Sequence, residues 1–145
     1  MGVATTPPFN PYRFETHFYR FELSDEHSFI ADPGEAEIGE WVSAVELLAR
    51  YERAEIMAVP PTITLIKNLA AGTADRVLDL DLKYDPDKEV PLIESICGVR
   101  QLLPLSNTFP PANRTNAFIF GDGEKILVDP SPKDDQELAR FLETA

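Results

Sequence analysis

One cysteine, two histidines and few cations in 145 residues leave this chain short of the groups from which many sites are built. Cys97 by itself can form neither an internal disulfide nor a cysteine-rich zinc site, and a reducing, cytoplasmic setting is the simplest reading. His17 and His27 cannot supply a three-ligand zinc site without several carboxylates beside them. Lys and Arg number 13 against 25 Asp and Glu, a formal net charge of −12. So negative a surface repels phosphate backbones and anionic lipid heads, and neither nucleic acid nor a membrane is expected as a partner. Acidity does not exclude phosphate chemistry, because carboxylates hold the divalent ions that bridge to phosphates. No apolar run approaches the ~20 residues that span a bilayer. The opening MGVATTPPFNPYRF has no basic-then-apolar order, so it does not read as a secretory signal.

What is present is enough for a packed core: hydrophobic residues make up 43% and aromatics 10%. The length suits one ordinary domain or two incomplete ones. The 13 prolines gather in a few places and punctuate the chain. Residues 1–12, proline-rich and small, read as an extended lead-in. In 14–23 (FETHFYRFEL), Phe14, Thr16 and Phe18 alternate with Glu15, His17 and Tyr19 as on a strand. A polar loop spans 24–34, and 37–42 (EIGEWV) reads as a short strand. Ser43 is an N-cap with Glu46 completing a capping box, and Ala44, Val45, Leu47, Leu48 and Tyr51 give a helical stripe. Past Pro60 and Pro61, Thr62 reads as the cap of a second helix carrying Ile63, Leu65, Ile66 and Leu69, ending near Gly72.

Residues 73–98 change character. Asp75, Asp79, Asp81, Asp85, Asp87, Glu89 and Glu94 interrupt short apolar pairs, which marks a linker or a poorly specified strand region and a domain boundary. From Val99 onward VRQLLPL, NAFIFG and KILVD read as strands, with Gly121-Asp122-Gly123 as a hairpin turn. A terminal helix over 134–142 places Leu138, Phe141 and Leu142 on one face. The fold class is therefore α+β.

Three pieces in order, PYRFETHFY (11–19), GEAEIGEWVSAVELLARY (34–51) and IMAVPPTITLIKNLA (56–70), make residues 8–71 resemble the portion of a Nudix hydrolase that follows its catalytic helix. The resemblance implies a partial α/β/α unit over 1–72. It also implies magnesium or manganese held by a Gly-x5-Glu-x7-Arg-Glu-x2-Glu-Glu helix, a run this sequence does not contain. Residues 99–145 resemble the start of a metallo-β-lactamase-fold hydrolase, in SNTFPPANRTNAFIFGDGEKILVDPSPKDDQELARFL (106–142). Thr115-Asn116 opens a strand, a glycine turn follows, and a second strand ends in Val128-Asp129-Pro130. That resemblance implies the first strands of an αβ/βα unit, with Asp129 supporting a zinc site without ligating it. The family's His-x-His-x-Asp-His motif does not occur here.

The joint expectation is a fragment of a metal-dependent hydrolase of Nudix/metallo-β-lactamase fusion type, inactive alone. It comprises a Nudix-like portion (1–72), an acidic linker (73–98) and a metallo-β-lactamase-like portion (99–145). No cofactor is expected for this chain alone; Mg or Mn and Zn belong to a full-length parent, as does any small-molecule substrate. Glu35, Glu37 and Glu40 are candidates for metal support in that parent, set against a plain solvated acidic loop, and Asp129 is the fourth candidate. The sequence names no catalytic residue. Arg13 and Arg20 could orient phosphate, with surface ion pairs as the simpler reading, and Cys97 reads as a buried inert thiol. Incomplete sheets leave open edges and uncovered apolar faces, so the isolated chain is expected to be sticky, prone to self-association or partly disordered unless its halves cover each other. The alternative is a non-catalytic binding or scaffold module.

Overall fold

The computed structural model describes residues 1–24, 30–74 and 77–145. His27 and Asp75 therefore lie outside the described residues. Three helices and two sheets make a mixed α and β architecture among those that are described. Strands β1 (Gly2–Thr5), β2 (Glu15–Phe18) and β3 (Leu78–Asp79) form a sheet ordered β2-β1-β3. Helices α1 (Ala44–Glu52) and α2 (Pro60–Ala70) come between β2 and β3 in the chain. Strands β4 (Leu92–Ile96), β5 (Val99–Leu102), β6 (Ala117–Phe120) and β7 (Ile126–Val128) form an antiparallel sheet in chain order, and α3 (Asp135–Thr144) closes the chain. None of the helices is long and apolar enough to cross a membrane.

The lead-in of the sequence reading is instead the central strand of the first sheet. β1 pairs antiparallel with β2, Val3 opposite His17, and parallel with β3, Gly2 opposite Leu78. The Met1 amino group donates to the Phe18 carbonyl at 2.8 Å, and the Thr5 amide to Asp81 Oδ1 at 2.6 Å. Ala4, Leu78 and Leu80 form the core of this sheet, with Phe18 and Leu65 packed against it. The stretch 37–42 forms no strand, since no other strand lies along it to take up its backbone groups.

Local signals fix the helices. Ser43 Oγ accepts from the Glu46 amide at 3.2 Å, satisfying one of the orphan donors of the first turn. The carboxylate of Glu46 turns to Arg50 and Arg53, 3.2 and 3.4 Å away. α2 begins two residues before Thr62: Val59 is its N-cap, and Pro60 and Pro61 occupy the first turn, where a missing N–H costs nothing. In the stretch read as a linker, Leu78–Asp79 joins the first sheet and Leu92–Ile96 the second. A two-residue turn at Cys97-Gly98 joins β4 to β5, with Gly98 at φ +82°, a conformation glycine adopts without a Cβ clash. Cys97 is half-buried there, not enclosed as expected, because the turn projects from the sheet.

The second sheet buries one face. Val90, Leu102, Ala117, Ile119 and Phe141 of α3 make its core. The stripe read on α3 is rotated: Phe141 is buried, Leu138 and Leu142 are 40% and 58% exposed, and Glu137 takes the inward position. Asp134 caps this helix by accepting from the Glu137 amide at 2.8 Å.

Two hydrogen bonds tie the helix pair to the edge of β4. The Tyr51 hydroxyl donates to the Glu94 carbonyl at 2.8 Å, and the Ala58 amide to the Ser95 carbonyl at 3.0 Å. Burial, with the Glu94 carboxylate acting in the same direction, pushes the Tyr51 phenol from 10.0 up to about 12. Folding thus favours the neutral phenol, whose contribution is complete below pH 10 and is lost as pH rises through 12. Tyr51→Phe should cost about 1 kcal/mol at neutral pH and should flatten the decline of stability in that alkaline window. Denaturant titrations of both proteins across the window test this; parallel declines would contradict it.

Candidate functional site

The chemistry-bearing residues of the second half meet at one end of the β6–β7 hairpin. β6 is preceded by Arg114, Thr115 and Asn116, and antiparallel pairing of Phe118 with Val128 brings them beside the residues that follow β7. An open recess of about 900 Å³ results, lined by Arg114, Thr115, Asn116, Phe118, Asp129 and Ser131. Asp129 lies at φ +50°, the left-handed region that aspartate tolerates better than most residues. The strand therefore ends at Val128 and the chain turns toward Pro130.

Most polar groups of the recess are already engaged. Asn116 Oδ1 accepts from Gln101 Nε2 at 2.8 Å, and the hydroxyls of Ser106 and Ser131 are 3.2 Å apart. The Lys133 amide donates to the Leu105 carbonyl at 2.8 Å, and Asn107 Nδ2 to the Lys133 carbonyl at 3.1 Å. These bonds fasten the loop after β7 to the loop after β5. Arg114 donates to the Leu103 carbonyl and stacks over Phe9, 5.8 Å from the ring centroid. The Thr115 hydroxyl is buried without a hydrogen-bond partner among the described residues. The recess can hold a polar ligand by hydrogen bonds; it offers a single carboxylate.

Glu35, Glu37 and Glu40 lie in the exposed segment before α1. The Glu35 amide belongs to a turn closed on Asp32, and Glu40 Oε1 takes Arg50 Nη1 at 2.5 Å. That bond is the first cause of a raised Arg50 pKa. Farther along, Glu55 holds the Arg53 guanidinium at 2.7 Å and is itself held below the usual carboxylate range by that contact. Glu40 thus belongs to a chain of charges running Glu40–Arg50–Glu46–Arg53–Glu55. Among the described residues no three His, Cys, Asp or Glu side chains converge as a metal-binding group.

His17 is about half exposed, with Nε2 2.8 Å from Glu15 Oε1. Arg13 Nε donates to the Thr6 carbonyl, and Arg20 lies 3.7 Å from Glu22. Neither arginine faces the recess beside Asp129. A second cavity, about 440 Å³ and mainly apolar, opens between the two sheets, with Ala4, Phe14, Val59, Leu80, Leu82 and Ile93 in its wall. Its walls come from segments far apart in the chain, so no local pattern signals it. Comparison with family models, with curated proteins and with solved structures finds no match for this chain.

Proposed function

We propose that this chain is the non-catalytic middle of a metal-dependent hydrolase of Nudix/metallo-β-lactamase fusion type, with its unit boundary within 73–98. The observation that carries the reading is the placement of Asp129. It ends β7 beside the Thr115-Asn116 opening of β6, in a polar recess shaped by a loop pinned ahead of α3. A strand-end carboxylate held this way suits an outer support of a cation site, fixing the groups that do bind the metal. The residues present do not themselves make such a site: zinc takes four ligands, and Asp129 stands in the recess without a second acid, histidine or thiol. No reaction step is therefore assigned to residues of this chain. In the parent, magnesium or manganese would serve the Nudix part and zinc the other, activating water at an anionic or thioester small-molecule substrate. The proposed setting is the cytoplasm, reducing enough to keep Cys97 a thiol.

The test reads the coding sequence on both sides and assays two proteins. An acid-rich Nudix box upstream, a histidine cluster downstream, and hydrolysis by the longer product that Asp129→Asn lowers along with its zinc content are expected. The 145-residue chain should turn over neither a nucleoside diphosphate derivative nor a thioester above the rate with metal alone. Flanks without either motif, or turnover by the 145 residues, would end the proposal. The apolar cavity between the sheets favours a second reading, a binding or scaffold module without chemistry. Inactivity of the longer product would leave that reading standing.

A further inference from the structure

We infer that β7 is an interface strand on which a second copy of this chain docks, edge to edge, about a two-fold axis through Leu127. The inference concerns the 145-residue chain by itself; under the hydrolase reading, later strands of the parent would take the same edge. An edge strand of an antiparallel sheet ordinarily shows one polar face, yet all three residues of β7 are apolar and exposed: Ile126 at 65%, Leu127 at 40% and Val128 at 39%. Leu127 pairs with Ile119 and so lies on the face that α3 covers, while Ile126 and Val128 pair with Phe120 and Phe118 on the other. Both faces of β7 are dressed like those of an interior strand.

Symmetry limits what can pair with it. A two-fold axis perpendicular to a sheet keeps every side chain on its own face, so it pairs only residues an even number of positions apart. About Leu127, that rule sets Leu127 opposite its own copy, Ile126 opposite Val128, and Lys125 opposite Asp129. Apolar residues then meet apolar ones on both faces, and two opposite-charge pairs close the ends of the ladder. Asp129 leaves the extended conformation, so these end pairs form through side chains alone. Lys125, which donates to the Ala145 carbonyl, keeps further N–H groups for the aspartate.

The two other edges longer than two residues fit worse. β4 is covered by Tyr51 and Ala58. Along β2 and its extension, the complementary charges (Arg13 with Glu22, Glu15 with Arg20) are odd numbers of positions apart, which the same symmetry forbids.

Sedimentation equilibrium of the 145-residue chain over a wide concentration range reads the mass directly, and a two-chain mass is expected. Leu127→Lys sets two like charges face to face on the axis and should leave a folded monomer by circular dichroism. Lys125→Glu should weaken the dimer roughly tenfold by placing like charges opposite at both ends. Adding Asp129→Asn, which tolerates the same backbone conformation, should recover part of that loss. A monomer at every concentration, a dimer indifferent to Leu127→Lys, or no recovery in the double variant would overturn the inference. A dimer built on β2 or on the apolar cavity gives the second result.

Discussion

Glu137→Ala is expected to lower the stability of the chain by about 3 kcal/mol or more, because it strands a buried cation. Glu137 is 1% exposed. One carboxylate oxygen accepts from the Leu105 amide at 2.7 Å and the other from Arg140 Nη1 at 2.8 Å. Arg140, its side chain only 17% exposed, also donates to the Glu89 carbonyl at 2.7 Å and has its Nε buried without a partner among the described residues. Truncating the glutamate leaves the Leu105 amide unsatisfied, at about 1–3 kcal/mol, and removes the charge that makes burial of the guanidinium tolerable. Replacing both partners by methionine still leaves the Leu105 amide unsatisfied but removes the ion along with its acceptor, so Glu137→Met/Arg140→Met should be less damaging than the single truncation. Urea unfolding with an unchanged slope gives the comparison. Equal losses in the single and double variants would show that the two charges do not depend on each other.

The inward turn of Glu137 has no signal within its own helix. An acid three residues after Asp134 at a helix start looks like a favourable charge in the first turn. Its burial is decided by the Leu105 loop, 32 positions away. Elements whose signals are local were legible: the Ser43 cap and α1, the stripe of α2, the turn at Gly121 and the terminal helix α3. The strands expected in 14–23 and from Val99 onward form too, as β2, β5, β6 and β7, whereas a strand without a β-forming run of its own was not legible. β1 is a strand because β2 and β3 flank it, and its Thr5–Asp81 bond spans 76 positions. The stretch 37–42, expected as a short strand, has no neighbouring strand to pair with and makes no sheet. For the candidate site, the place of Asp129 at a strand end was legible, whereas the buried Thr115 hydroxyl and the pinning of the following loop depend on packing. The fate of Glu40 was settled by Arg50, which reaches back ten positions to claim it.

Phe141→Ala should cost about 3–5 kcal/mol, a loss comparable to that at Glu137 but of a different kind. Its ring is 1% exposed and packs with Val90, Leu102, Ala117 and Ile119 on the one face of the second sheet that α3 covers. Lost transfer energy and the cavity left behind act together there, since backbone hydrogen bonds keep the strands from collapsing into the gap. Leu142→Ala, one residue on and 58% exposed, should cost below about 1 kcal/mol in the monomer. The contrast measures the phase of α3 directly, because helical periodicity alone assigns both side chains to one stripe. Dimer formation through β7 would raise the cost at Leu142 only if α3 reaches the second copy, so the comparison belongs at concentrations where the chain is monomeric. The loop that shapes the Asp129 recess leads straight into α3. Phe141→Ala should therefore loosen that loop before it unfolds the sheet, read as faster hydrogen exchange at the Lys133 amide than at Ile119. Uniform acceleration at both amides would mean that helix and sheet open as one unit.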